Sequence, residues 1–486
     1  MSRSDRGLRR LAAGTLLAAF QGTTPPGWVL RELEAGLGGV TLFGFNVDGH
    51  ERLSALTAAL REAGGEPVIS LDEEGGDVTR LDYHVGSPYP GNAALGAVDD
   101  PDLTRQVYLA IGAELAGCGV NLDMAPDADV NSEADNPVIG TRAFGDEPDL
   151  VARHAVAAVE GLQAAGVAAC VKHFPGHGAT RVDSHLAVPV VDVTPEVLRD
   201  RELVPFRAAI AAGTKSIMTA HVAVPALTGR APATLSPAAL TGLLRDELGY
   251  DGVVVSDALD MHAITESVGL GGGAVRSLAA GADLLCLGPL PGRDDVRGVI
   301  DAIVAAVEEG ALPSARLEEA AARVAALRAW FGSPGRTPPE RNGVGLRAAR
   351  RAVRLAGEPA PLAEPLVVEV DTPPTIAVGD VPWGLGPWLP EAEILRVTPA
   401  AADVPGLLAK AADRSLVVVV KDAHRHPDSR ALVSALVTAR PDATVVEMGL
   451  PVWRPDAAVY LATYGAARAN AQAAAELLTG RAPVRT

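Results

Sequence analysis

The sequence predicts an α/β protein, with an N-terminal (β/α)8 TIM-type barrel followed by a smaller C-terminal α/β sandwich domain. Three observations lead there. Between residues 38 and 290 a short β-branched apolar run recurs, followed each time by a polar residue and a helical segment. The polar residues fall at the C-terminal ends of the runs, the ends that a barrel gathers onto one face. A Pro-, Gly- and Arg-rich stretch over 331–363 then separates this pattern from a second, shorter round of α/β alternation. The expected organisation is a catalytic barrel over 1–330, a linker over 331–363 carrying one basic helix (RAARRAVRLAG), and a C-terminal α/β domain over 364–486.

The elements follow in order. Arg9-Arg10 and LAAGTLLAAF read as an amphipathic first helix ending at the turn GTTPPG. The basic flank and apolar stretch also resemble a short signal peptide, but no small-x-small cleavage site follows cleanly, so a helix and a cytoplasmic location are expected. The runs GGVTLFGF (38–45), PVISLD (67–72), GVNLDMAP (119–126), AACVKHF (168–174), KSIMTAHV (215–222), GVVVSD (252–257) and ADLLCLG (282–288) mark seven strands, and an eighth is inferred to close the barrel. Continuous apolar runs of this kind belong to parallel strands covered on both faces. Segments 149–166 and 235–249 are patterned as helices with Gly stops. In the second domain PLVVEV, TIAVG, SLVVVVKD, ATVVEMG and AVYLATYG read as strands, and ANAQAAAELLTG as a closing helix. GLGPWLP (384–390) lacks the third Gly and the helix of a dinucleotide loop, so no nucleotide cofactor is indicated.

Composition narrows the function. The chain has 486 residues, 48% hydrophobic and 21% charged, which is ordinary for a protein that buries a core. Its 42 Lys+Arg and 60 Asp+Glu give a net charge of −18, which repels nucleic acid and anionic membrane surfaces, so neither is an expected partner. No apolar run reaches the roughly 18 residues of a spanning helix. Cys118, Cys170 and Cys286 are odd in number, and the last two sit inside apolar runs, which reads as buried free thiols in a reducing compartment.

The densest polar cluster is KHFPGHGATRVDSH (172–185), which starts at a strand end and enters a Gly/Pro-rich loop. Residues two apart in an extended segment project to one side, so Asp183 can hold one imidazole nitrogen of His185 and raise its basicity, forming an acid/base dyad. Asp257 ends an all-apolar strand, where a carboxylate needs work or a partner. Nucleophile and cap of the next helix are both open readings for it. Asp72-Glu73-Glu74-Gly75-Gly76, closed by Arg80, offers acids to sugar hydroxyls or a metal, and Arg142 in NPVIGTR offers a fork for an oxygen-rich ligand.

These segments, in this order, resemble the glycoside hydrolase family 3 β-N-acetylglucosaminidases of the NagZ type, strongly over about residues 8–330. The KHFPGHG…DSH segment marks the branch that uses a His–Asp dyad in place of a glutamate. The resemblance implies a retaining exo-glycosidase with Asp257 as nucleophile, His185 as acid/base and Asp183 as its partner. It also implies that Asp72, Arg80, Arg142, Lys172 and His173 hold the hydroxyls of a terminal sugar. Asp77 and Ala179 depart from the family pattern, where Arg and Asp are usual. The implied substrate is a small-molecule carbohydrate, a muropeptide or β-N-acetylglucosamine oligosaccharide, as in peptidoglycan recycling. A phosphorylase, or a glucosidase or xylosidase on the same scaffold, stays open, as does the oligomeric state.

An acid/base on such a loop is expected to reach Asp257 only with substrate bound. Two rival readings fit the sequence less well. A metal-dependent barrel hydrolase would draw on Lys172, His173, His177, His185, His221 and Asp257, but His173 and His177 straddle Phe-Pro-Gly and do not share a helix face. A non-catalytic sugar-binding protein would have lost the nucleophile or the dyad. No metal and no cofactor are expected. The second domain shows no catalytic set: Lys421–His426 reads as a solvated strand-end loop, and the domain is expected to serve packing, dimerisation or partner contact, so that turnover survives loss of 364–486.

Overall fold

The computed structural model describes residues 3–182, 188–331 and 343–480. Eight parallel strands form the first sheet: β1 Leu16–Ala18, β2 Gly39–Thr41, β3 Val68–Leu71, β4 Leu122–Asp123, β5 Ala168–Phe174, β6 Ser216–Thr219, β7 Val253–Val255 and β8 Leu285–Cys286. Their order is β7-β6-β5-β4-β3-β2-β1-β8, and a parallel bridge from Val255 to Leu284 joins the two ends into a barrel. The seven apolar runs supply β2 to β8. The inferred eighth strand is β1, hidden in the stretch expected to be wholly helical: the helix Arg3–Gly14 stops at Gly14 and Leu16–Ala18 pairs with β2 and β8.

Inward-facing Leu17, Val68, Leu122, Cys170, Val253 and Leu284 share one apolar cluster with Val324 and Leu327 of the helix Ser314–Phe331. That helix plugs the N-terminal end of the barrel. Arg328 donates to the carbonyls of Gly64 and Glu66 just before β3, and Lys215, just before β6, stands over the Trp330 ring at 5.6 Å. The opposite, C-terminal end is left open. All three cysteines are free and buried, and burial pushes the Cys170 and Cys286 thiols up to about 12.

The closing seam is held by charge. Asp283, fully buried, accepts from the Val254 N–H of β7 at 3.0 Å and from the guanidinium groups of Arg245 and Arg316. It thereby ties the strand before closure to the helix after it.

The second sheet has the order β11-β10-β12-β13-β14-β9, from β9 Arg354–Ala356, β10 Leu366–Val370, β11 Glu393–Val397, β12 Leu416–Val420, β13 Thr444–Glu447 and β14 Val459–Ala462. All pairs are parallel except β14 with β9. Val417 and Val419 face one apolar cluster while Leu416, Val418 and Val420 face another, as a two-sided burial of β12 requires. Two sequence expectations change here. TIAVG is a loop, and the fifth parallel strand is EILRV, whose edge position leaves it exposed or half-buried along its length. The stretch expected as linker carries the basic helix as Val344–Ala352, and residues 354–356 pair into the sheet. That helix straddles both halves, Arg351 pairing with Asp100 and Arg350 with Glu476.

Asp283→Ala leaves the seam's guanidinium groups without their shared carboxylate. The expected loss is about 3–5 kcal/mol of unfolding free energy, read by denaturant titration; a change below about 0.5 kcal/mol would show that the seam does not need it.

Candidate active site

The floor of the open end is built at strand termini. Lys172, on β5, reaches across to Asp72 after β3, with Nζ 2.7 Å from Asp72 Oδ1 and 2.7 Å from Glu74 Oε1. Arg142 forks onto Glu74 through Nε at 3.0 Å and Nη2 at 2.8 Å. Burial works against charge at each of these groups, but the opposing charges win. Asp72 and Glu74 are held below the ordinary carboxylate range, and Lys172 is raised above the ordinary lysine value. Asp72 is the partly open member, its side chain 21% exposed against 2% for Glu74.

His173 shows its tautomer through its partners. Arg142 can only donate, at 3.3 Å to Nε2, so Nε2 accepts and Nδ1–H donates to Asp129 Oδ2 at 2.7 Å. Asp129 also takes the His177 N–H at 2.7 Å; burial raises it, but His173 and these donors hold it low. Its neighbour Asp127 is raised by burial and by the charge of Asp129. Asp127, Asp129 and His173 stand close enough to suggest a cation site, but Nδ1 of His173 is spent on Asp129. His177 uses Nδ1 on Thr180 Oγ1 at 2.8 Å while its buried Nε2 has no hydrogen-bond partner among the described residues, and burial lowers it to about 4, so it stays neutral. His221 lies between Thr234 and the carbonyl of Ala258, which fixes the backbone just after Asp257. Among the described histidines a metal reading would draw on, His173 and His221 thus have both ring nitrogens engaged, whereas His177 has one.

Asp257 follows β7, its Oδ1 accepting the Ala258 N–H at 2.8 Å. It lines one cavity of about 610 Å³ together with Asp72, Arg80, Arg142, Lys172 and His173. The structure therefore brings six of the sequence-predicted site residues to one place. The other two, Asp183 and His185, lie outside the described residues.

The second domain, expected to serve packing, dimerisation or partner contact, reaches this cavity. Ile376, Ala377, Val378 and Gly379 line the wall. Arg80 donates from Nη2 to the Ala377 carbonyl at 2.8 Å while lying 3.8 Å from Asp72 Oδ2. Tyr83 Oη accepts the Asp380 N–H at 3.0 Å, and a Cβ on Gly379 would stand 2.6 Å from that oxygen. Behind the loop, Asp77 accepts from Lys421 Nζ at 2.9 Å, from Thr141 Oγ1 at 3.1 Å and from the Ala466 N–H at 2.8 Å. His424 donates to the Ala134 carbonyl, so Lys421–His426 is a seam between the halves and not a solvated loop. The departure at Asp77 now has a role, as the carboxylate that docks the second domain's lysine.

Sequence reading missed Glu74 as the centre of the ion network, although it stands two residues beyond Asp72. It also missed Asp127 and Asp129, two acids directly after β4 in DMAPDAD, and it missed the 376–379 loop, which carries no polar side chain to reveal it.

A closed parallel barrel with ion-paired carboxylates, a forked guanidinium group and a partly open aspartate in a cavity at its C-terminal mouth has the architecture of a barrel enzyme with a polar small-molecule site. The chain belongs to glycosyl hydrolase family 3: residues 31–327 match the model described as "Glycosyl hydrolase family 3 N terminal domain". It is 36% identical to Beta-hexosaminidase A of Pseudoalteromonas piscicida over 60% of this chain, and spans about half of that relative (53%). It is also 36% identical to Beta-hexosaminidase LpqI of Mycobacterium tuberculosis, over 60% of this chain and 76% of the relative. Across nearly its whole length it resembles the solved family 3 β-N-acetylglucosaminidase of Paenibacillus sp. str. FPU-7, at a TM-score of 0.88 and 35% identity, covering 98% of this chain and 97% of that one.

Gly379→Val forces the loop off Tyr83 and strips Arg80 of its carbonyl acceptor. Because misplacing a positioning group by about 1 Å can cost about 100-fold, kcat/KM should fall between about 10- and 100-fold with the far-UV spectrum unchanged. A value within about twofold of the unmodified chain would show that the loop does not support the site.

Proposed function

We propose that this chain is a retaining exo-β-N-acetylglucosaminidase, releasing terminal β-linked N-acetylglucosamine, with cell-wall oligosaccharide fragments as the physiological source. The observation that carries the reading is the convergence of Asp257 with Asp72, Arg80, Arg142, Lys172 and His173 on one cavity. The names of the relatives and of the Paenibacillus structure support the choice of sugar.

In this reading Asp72 accepts hydrogen bonds from sugar hydroxyls, its charge secured by Lys172, while Lys172, Arg142 and Arg80 present N–H groups to the hydroxyl oxygens. The sugar is then held with its anomeric carbon facing Asp257. Asp257 attacks that carbon as the C–O bond to the aglycone breaks, and His185, protonated and oriented by Asp183, gives its proton to the departing oxygen. The covalent glycosyl–Asp257 ester is then attacked by water. Neutral His185 takes the water's proton, the ester bond breaks, and the sugar leaves with its original β configuration while Asp257 returns to a carboxylate. A histidine base bears no negative charge when deprotonated, so it imposes little repulsion on an approaching acceptor.

Two substitutions separate the roles. Asp257→Ala should abolish release of 4-nitrophenol from 4-nitrophenyl β-N-acetylglucosaminide. His185→Ala should lower kcat/KM by about 100- to 10,000-fold on an alkyl glycoside, whose leaving group needs a proton, and by much less on the nitrophenyl one. Equal losses on both substrates would contradict the acid role. Full activity of Asp257→Ala would contradict the nucleophile.

A further inference from the structure

The outer part of the cavity differs in chemistry from its floor. Three large apolar side chains that line it are exposed to solvent: Phe45 at 38%, Ile376 at 61% and Leu290 at 81%. They come from three separate loops, after β2, after β8 and from the second domain. Apolar side chains this exposed usually lie scattered, and convergence on one cavity is the mark of a binding surface.

Each is held in place by polar anchoring. The turn carrying Phe45 is fixed by Asn46, whose side-chain amide donates to the carbonyls of Phe20 and Gly22 while its oxygen accepts the Phe43 N–H at 2.9 Å. Phe43 and Phe45 stack with centroids 5.5 Å apart and planes inclined by 18°. Leu290 is presented by its own N–H, which bonds Asp260 Oδ2 at 3.0 Å, and Gly288 before it has φ +83°, where a Cβ would collide with the Asp260 carboxyl. Ile376 precedes the carbonyl gripped by Arg80. A wall of pinned apolar groups loses little conformational entropy when it meets a ligand.

We propose that Phe45, Leu290 and Ile376 form an aglycone subsite, which takes a leaving group with an apolar face: an aryl ring, or the C–H face of a second pyranose. The inference rests on the glycosidase reading. With the ion-paired groups at the strand ends holding the terminal sugar, the bond to be broken points outward, and these side chains are what the aglycone meets. The second domain thus contributes to leaving-group selection through Ile376 as well as to Arg80.

The test uses the full chain, with Phe45→Ser, Leu290→Ser and Ile376→Ser singly and combined. The substrates are methyl β-N-acetylglucosaminide, the phenyl glycoside and N,N′-diacetylchitobiose. Comparing each variant with the unmodified chain on the same substrate cancels leaving-group reactivity. The combined variant should lose on the order of tenfold in kcat/KM on the phenyl glycoside, the disaccharide or both, and stay within about twofold on the methyl glycoside, which is too short to reach the wall. Loss on the phenyl glycoside alone assigns an aryl ligand, and loss on the disaccharide alone assigns a sugar ring. An equal loss on all three, or none on any, overturns the subsite while leaving the glycosidase reading standing. No turnover of any of them by the unmodified chain overturns that reading and the subsite with it.

Discussion

Lys172 sits at the mouth of the barrel with 1% of its surface exposed, and its charge is tenable there because Asp72 and Glu74 each stand 2.7 Å from Nζ. Taking one ammonium group out of water costs several kcal/mol, and removing one partner of such a pair exposes that cost. The arrangement orders the rest of the site. Glu74 needs Arg142 as well, Arg142 turns its Nη2 towards His173, and His173 donates its Nδ1–H to Asp129. Each group is fixed by the next, so the floor is set before any ligand arrives. Preorganised donors of this kind stabilise developing charge without reorganising during reaction.

The same network explains why the second domain matters to a barrel that otherwise closes on itself. Arg80 is shared between Asp72 and the Ala377 carbonyl, so part of the ligand-facing charge is oriented from outside the barrel. Asp77, in the same loop as Asp72 and Glu74, is docked by Lys421 and the Ala466 N–H. Tyr83 fits between Gly44 and Gly379, where any side chain would strike its ring or hydroxyl. Three anchors within a short stretch after β3 couple the site's acids to the second sheet. With Ile376 on the wall, the outer cavity is a joint product of both halves.

Most of this was legible in the sequence where chemistry and periodicity coincide. β2 to β8 announce themselves as continuous apolar runs because both faces are covered. β1 did not, since three apolar residues after an amphipathic helix extend the helical pattern without a break. Asp72, Lys172, His173 and Asp257 were readable as polar residues at strand ends, and Arg142 as a guanidinium fork in the NPVIGTR segment. Asp127 and Asp129 had the same signal and were passed over. The 376–379 loop had no signal: it works through backbone carbonyls and one isoleucine, which look like strand residues until the fold places them. Asp77 was visible only as a departure from the family pattern, and its partner lies 344 positions away, beyond the reach of local reading.

The central claim is that Asp257 forms a covalent bond to the sugar. It is tested most directly by reacting the full chain with a fluorinated N-acetylglucosaminyl donor whose second step is slow, then digesting the protein and weighing the peptides. The account predicts that the peptide carrying Asp257 gains the mass of one fluorinated N-acetylhexosaminyl residue, and that Asp257→Ala gains nothing. An adduct on another residue, or consumption of the donor with no adduct at all, would contradict it.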